Sequence, residues 1–183
     1  MNANGNEMLK HALAYATLGW HVIPLRPRRK TPITAHGEKD ATTNPAQIRE
    51  WWGKWPGANI GIATGPSGLL AIDIDPRHGG MNSINALAEQ YGRPITNIVA
   101  MTGGGGRHFY YRRPVDVKSR ANAFGLAWPG IDTRGSTGYV VAPPSVHPGG
   151  KAYKWMLPGP LAPDAIPQLP TPPNAYLDLL AAA

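Results

Sequence analysis

Leu69-Leu70-Ala71-Ile72-Asp73-Ile74-Asp75 sets five apolar residues around two carboxylates at positions i and i+2. A short apolar run rich in Leu and Ile and closed by turn residues reads as a buried β-strand. Side chains on a strand alternate between faces, so Asp73 and Asp75 are expected to point the same way, about 6.6 Å apart along the chain. Ionised carboxylates are costly to bury unless they are paired or coordinate a cation. Two on one face of a core strand call for cations, and a pair of divalent ions about 3.5–4 Å apart suits them. Hard oxygen ligands favour Mg²⁺ or Mn²⁺ over zinc. The plainer alternative is a strand end, with Asp75-Pro76 opening a turn and Asp73 capping a neighbouring element. The stretch alone leaves both readings open.

The chain has 183 residues, enough for one domain with a real core, or for one domain and a tail. Lys and Arg number 18 against 11 Asp and Glu, a net charge of +7. That balance suits a polyanionic partner: nucleic acid, nucleotide or membrane surface. Cysteine is absent, which excludes disulfides and Cys-based zinc sites. The N-terminal Met1-Asn2-Ala3-Asn4-Gly5-Asn6 has no signal-peptide core, and no apolar run approaches the ~20 residues a membrane span needs. A cytoplasmic protein without membrane attachment is expected.

Residues 7–18 carry Leu9, Leu13 and Ala16 at helical spacing, and Gly19 stops them. His21–Leu25 reads as a short strand whose Pro24 suggests a sheet edge. A basic loop comes next, with Arg26, Arg28, Arg29 and Lys30. Asn44-Pro45 supplies an N-cap and a proline at the first helical position, and Ile48, Trp51, Trp52 and Trp55 then form one apolar face. A tryptophan stripe can stack bases, but at helical spacing the core reading weighs more. Asn59–Ala63 and Leu69–Asp75 read as strands, and 82–91 as a helix ended by Gly92 and Pro94. From Asn97 the pattern becomes β, over 98–101, 108–111, 130–134, 139–142 and 152–155. Prolines crowd 158–173, which reads as a linker or stiff tail. Residues 174–183 read as the start of a helix belonging downstream. The division is therefore a domain over 1–157 and a proline-rich segment over 158–183, with helices early and antiparallel strands later in an α+β pattern.

Gly103-Gly104-Gly105-Gly106 precedes Arg107-His108. Glycines let backbone N–H groups approach a phosphate closely. With Arg107-His108 next in the chain, the run is neither a P-loop nor a dinucleotide fingerprint, and a flexible hairpin turn is the simpler account. His108, heading a strand, is either a satisfied core residue or a phosphate contact. In Gly130-Ile131-Asp132-Thr133-Arg134-Gly135, Asp132 and Arg134 share a face, as an internal ion pair or as a third metal carboxylate beside a phosphate-binding arginine. Pro143-Pro144-Ser145-Val146-His147-Pro148 is a stiff turn presenting Ser145 and His147. Three strand-borne acids, a glycine turn with a histidine, and scattered Arg and Lys make the inventory for metal-assisted phosphoryl or nucleotidyl transfer.

The order of these motifs resembles the bifunctional DNA primase/polymerase (Prim-Pol) N-terminal domain family. That family is a branch of the archaeo-eukaryotic primase superfamily, found in phage, plasmid and bacterial replication proteins. The likeness runs from about residue 9 to 156. It takes in Gly19-Trp20, Lys30-Thr31-Pro32, Trp51-Trp52, Asn59-Ile60-Gly61-Ile62-Ala63-Thr64-Gly65, Ile72-Asp73-Ile74-Asp75, Gly105-Gly106-Arg107-His108, Asp132-Thr133-Arg134-Gly135 and Pro143-Pro144-Ser145-Val146-His147-Pro148. The resemblance implies an α+β fold, with a primase-like catalytic core built on an RRM-like mixed sheet and a small N-terminal α/β part. Its three motifs fall on Asp73 with Asp75, on His108 and on Asp132. By resemblance the three acids hold two divalent cations, Mg²⁺ or Mn²⁺, and His108 contacts the incoming nucleotide's phosphates. Lys30, Gly106, Arg107, Arg134, Ser145 and His147 are the further nucleotide contacts expected. Some relatives carry a cysteine-based zinc element, which this chain lacks.

These readings converge on a template-directed nucleotidyltransferase, a DNA primase and DNA polymerase of a replication protein. Its partners would be single-stranded DNA template and primer, NTP or dNTP substrates, and a helicase or other replication module downstream. A metal-dependent nuclease is one rival, since the same acids and histidine would serve to activate water. A non-catalytic single-stranded DNA-binding module, with Trp51, Trp52 and Trp55 as stacking platforms, is the other.

Overall fold

A computed structural model describes residues 3–114, 117–156, 159–161 and 169–182. Helix α1 (Ala3–Thr17) leads into strand β1 (Val22–Leu25), and helix α2 (Pro45–Lys54) into strands β2 (Asn59–Ala63) and β3 (Leu69–Ile74). Helix α3 (Gly80–Tyr91) precedes β4 (Val99–Met101), β5 (Arg107–Arg112), β6 (Ile131–Arg134), β7 (Tyr139–Ala142) and β8 (Lys154–Trp155). Helix α4 (Asn174–Ala182) closes the described chain. The strands form a three-stranded sheet, β1-β2-β7, and a five-stranded sheet, β6-β3-β5-β4-β8. Every ladder between them is antiparallel, so the large sheet is not the mixed one the resemblance implies. Because β5 lies between β3 and β4, those two run parallel, with α3 carrying the chain across, as in a split βαβ unit.

Local sequence accounts for the elements that position the site. β1 is the sheet edge that Pro24 indicated, with β2 its one neighbouring strand and isolated bridges to Thr42 and Pro32 on its outer side. At α2 the Asn44 side chain accepts from Ala46 N at 2.9 Å and Pro45 takes the first helical position. Ile48 and Trp52, four residues apart, are buried, while Trp51 and Trp55 are half-buried against the same core. The tryptophan stripe is thus packing surface for most of its area.

One core lies between α1, α2, the small sheet and one face of the large sheet, where Leu69, Ala71, Ala100 and Tyr110 point. A second fills the other face, where Leu70, Ile72, Ile74, Phe109 and Ile131 meet Ile84 and Leu87 of α3. Strand alternation therefore assigns odd positions of β3 and even positions of β5 to the first face.

The described parts of the segment expected to be a linker pack against the domain. Leu157, Pro158 and 162–168 lie outside the described residues. Leu161 and Leu169 rest on the first core, and Pro170 O accepts from Arg112 N at 2.9 Å. Tyr176 of α4 is fully buried in the second core and donates its hydroxyl to Gly92 O at 2.9 Å. Prolines supply no amide donors, but their carbonyls still accept, which is how Pro170 bonds β5 beyond the end of the short β4.

Candidate active site at the junction of the two sheets

Asp73 sits on β3 with His108 directly opposite on β5 and Asp132 directly opposite on β6. Opposed residues of an antiparallel pair have Cβ atoms about 4.5–5.5 Å apart, and like charges there are destabilising. Two basic side chains stand beside them. Arg134 Nη2 lies 3.1 Å from Asp132 Oδ2, and His108 Nε2 lies 3.4 Å from Asp73 Oδ1. The second contact is long for a hydrogen bond, so its weight is electrostatic. Burial raises the Asp73 pKa, but the charge and contact of His108, with Lys30 and Arg134, outweigh it and hold the carboxyl below its ordinary value. His108 itself is buried, its Nδ1 without a partner among the described residues.

Asp75 keeps an extended backbone, and its N–H donates to Gly130 O at 2.8 Å, continuing the ladder to β6. β3 ends at Ile74, and Asp75 caps the 3-10 turn Pro76–His78. Its Oδ1 accepts from Arg77 N at 2.9 Å and Arg77 Nε at 3.1 Å, while Oδ2 meets Arg77 Nη2 at 2.8 Å and His78 Nδ1 at 3.0 Å. The Arg77 bonds push its carboxyl well below the usual carboxylate range, overcoming the upward push of burial. Pro76 is what turns the chain off the strand, the strand-end geometry that Asp75-Pro76 also allowed.

The glycine run is the tight turn between β4 and β5. Thr102 N donates to Gly106 O, and Thr102 Oγ1 accepts from Gly106 N, both at 2.9 Å. A Cβ on Gly106 would lie 2.2 Å from Ile74 O, and one on Gly103 would lie 2.3 Å from His147 Cβ. These two glycines exist for close approach to β3 and to the 143–148 turn. His147 is thereby brought beside Gly104, its Nδ1 accepting from Gly149 N at 3.0 Å. Burial, Lys30 and Arg77 lower its pKa.

A cleft of about 450 Å³ opens here, walled by Asp73, His108 and Arg134 of the large sheet, Tyr139–Val141 of β7, and Lys30 and Glu38 from the loops after β1. Tyr139 donates its hydroxyl to Lys30 O at 2.8 Å, which pins the basic loop to the wall. Two expected nucleotide contacts are placed elsewhere. Arg107 neighbours His108 on β5 and so faces the opposite side of the sheet, where it pairs with Met101 and borders a separate hollow with Arg93 and Glu89. Ser145 is fully buried, with Oγ accepting from Ile60 N at 2.8 Å. Tyr153, Tyr139 and Glu38 line the cleft without having been singled out in the sequence.

Among the described residues no three His, Asp or Glu side chains are gathered around a metal position. Carboxylate oxygens at the opposed positions Asp73 and Asp132 are the donor type a hard divalent ion takes, although Asp132 as placed accepts from Asn122 N at 3.0 Å through Oδ1 and from Arg134 Nη2 at 3.1 Å through Oδ2. Asp75 as placed has both oxygens engaged by Arg77 and His78.

Residues 12–172 match the family described as "Bifunctional DNA primase/polymerase, N-terminal", and the chain belongs to that family. No curated protein matches it. No helix among the described residues is long and apolar enough to cross a membrane.

Proposed function

We propose that this domain is a template-directed nucleotidyltransferase that makes and extends primers in DNA replication. The observation that carries the reading is Asp73 held between His108 and Asp132 on three adjacent strands, in a cleft with Lys30 and Arg134 on its wall. In this reading the primer 3′-oxygen attacks the α-phosphorus of a bound NTP or dNTP and pyrophosphate leaves. Lys30 and Arg134 neutralise the triphosphate, His147 helps to orient it as a neutral hydrogen-bonding group, and His108 touches its oxygens. Asp73 and Asp132 would hold two divalent cations, Mg²⁺ or Mn²⁺, joined by Asp75 once it exchanges Arg77 for metal. Bound ions would lower the charge on the phosphates and the pKa of the attacking hydroxyl. Single-stranded template is held electrostatically by a domain of net charge +7.

The RRM-like character of the core is part of the same proposal. Its support is the run β3-α3-β4-β5-β6 with spatial order β6-β3-β5-β4. A cytoplasmic replication protein of phage, plasmid or bacterial origin, with a helicase or similar module beyond this domain, is the setting we propose for it. The test is a labelled primer–template incubated with NTPs or dNTPs in Mg²⁺ or Mn²⁺. Extension that EDTA abolishes is expected. Shortening of the label without nucleotides identifies a nuclease instead, and EDTA-insensitive binding with no extension identifies a binding module.

A further inference from the structure

Tyr153 is 2 % exposed, yet it forms part of the cleft wall. The backbone fixes its place: its N–H donates to Ser145 O at 2.8 Å, and the bridge between Val146 and Ala152 closes the turn beneath it. Its ring stands between two histidines, 6.1 Å from the His108 ring centre and 6.2 Å from that of His147. Ile23, Leu25 and Val141 pack behind it.

The hydroxyl is the unusual part. Those of Tyr15, Tyr139 and Tyr176 donate to Pro143 O, Lys30 O and Gly92 O. That of Tyr153 has no hydrogen-bond partner among the described residues. Tyr110 and Tyr111 also lack one, but they lie inside the two apolar cores, whereas Tyr153 borders the cleft. Unlike the hydroxyls of Tyr110 and Tyr111, that of Tyr153 is not sealed from solvent, so it adds little to folding and is open to a group entering the cleft. Burial and the neighbouring Asp73 charge push its pKa up to about 12, against a downward pull from Arg77, so it is a neutral O–H donor at pH 7. An anionic acceptor entering between Lys30, Arg134 and Arg77 would meet this donor directly.

We propose that Tyr153 donates its hydroxyl to a phosphoryl oxygen of the ligand bound in this cleft and is a binding residue of the nucleotide site. The proposal rests on the nucleotidyl-transfer reading above. It is tested with Tyr153→Phe, which keeps the ring against both histidines and removes only the oxygen. Tm is measured by thermal unfolding, and Kd by titration with a nucleoside triphosphate, inorganic triphosphate and the unphosphorylated nucleoside, all in Mg²⁺ buffer. Tm is expected to stay level or rise. Affinity for both phosphorylated probes is expected to fall about ten- to a hundredfold, the size of one hydrogen bond to a charged acceptor.

Equal affinities for wild type and variant overturn the proposal. Weakening confined to the nucleoside triphosphate overturns the phosphoryl assignment, because the contact is then to sugar or base. A clearly lowered Tm shows the hydroxyl to be bonded within the protein and overturns it too. Wild-type protein that binds none of the probes overturns the nucleotide reading itself, and the proposal with it.

Discussion

Truncating Tyr176 to alanine asks whether α4 belongs to the domain. The ring is fully buried, meets Phe124 edge-on at a centroid distance of 5.6 Å, and its hydroxyl donates to Gly92 O at 2.9 Å. Deleting a buried aromatic side chain costs about 3–5 kcal/mol. α4 packs on the second core without joining either sheet, so it can detach while the sheets stay folded and the loss is bounded by what α4 contributes in total. Tyr176→Ala should therefore approach a chain ending at Pro170. Tyr176→Phe removes only the bond to Gly92 O and should cost about 1 kcal/mol. For a domain of this size each kcal/mol moves Tm by roughly 2–4 °C. The alanine variant should then melt about 6–20 °C lower and the phenylalanine variant about 2–4 °C lower. Urea unfolding followed by tryptophan fluorescence gives the free energies independently of calorimetry. An alanine variant with the wild-type midpoint would refute the packing of α4 and restore the segment to a free linker.

Ser145→Ala should lower stability by about 1–3 kcal/mol, because Ile60 N loses a buried acceptor, while nucleotide affinity stays put; denaturant melts and nucleotide titration read the two separately. Arg107→Ala, on the face of β5 away from the cleft, should leave nucleotide affinity within twofold of wild type, and a tenfold loss would return Arg107 to the site. Arg77→Ala addresses pH. The Asp75 carboxyl is depressed in the fold, chiefly by Arg77, so its contribution is present above the unfolded value of about 3.9 and fades as pH falls below it. Tm of the variant should sit below wild type at pH 7, with a gap that starts to narrow below about pH 4 and closes only below the folded value of Asp75; a gap that does not narrow under acid would show that the Arg77 bonds do not set the Asp75 titration.

The alternation of β3 was enough to place Asp73 on the core-facing side, and the Asn44-Pro45 signal to start α2. Arg107 was legible by the same rule, since the neighbour of an inward His108 must point outward; its charge beside the glycine run spoke for the opposite. Asp75 keeps the extended backbone that alternation assumes, while the turn opened by Pro76 brings Arg77 and His78 onto its oxygens, a pairing that strand spacing does not show. Ser145 and Tyr153 depend on partners brought in by the fold, Ile60 lying 85 positions from Ser145. Tyr176 depends on Gly92, 84 positions away, and proline density around 158–173 masked the carbonyls and the buried ring by which that segment holds on.

Primer extension by wild type and Asp73→Asn, side by side on one labelled primer–template with dNTPs and Mg²⁺ or Mn²⁺, bears most directly on the reading of this cleft. Asparagine keeps the size of the side chain and removes its charge beside His108 and Asp132. Nucleotide-dependent extension by wild type is expected, with at least a hundredfold loss in the variant, about 2.7 kcal/mol or more of transition-state stabilisation, and with Tm level or slightly lowered because the neighbouring charges favour the ionised Asp73 carboxyl. Extension by Asp73→Asn at the wild-type rate would contradict that reading.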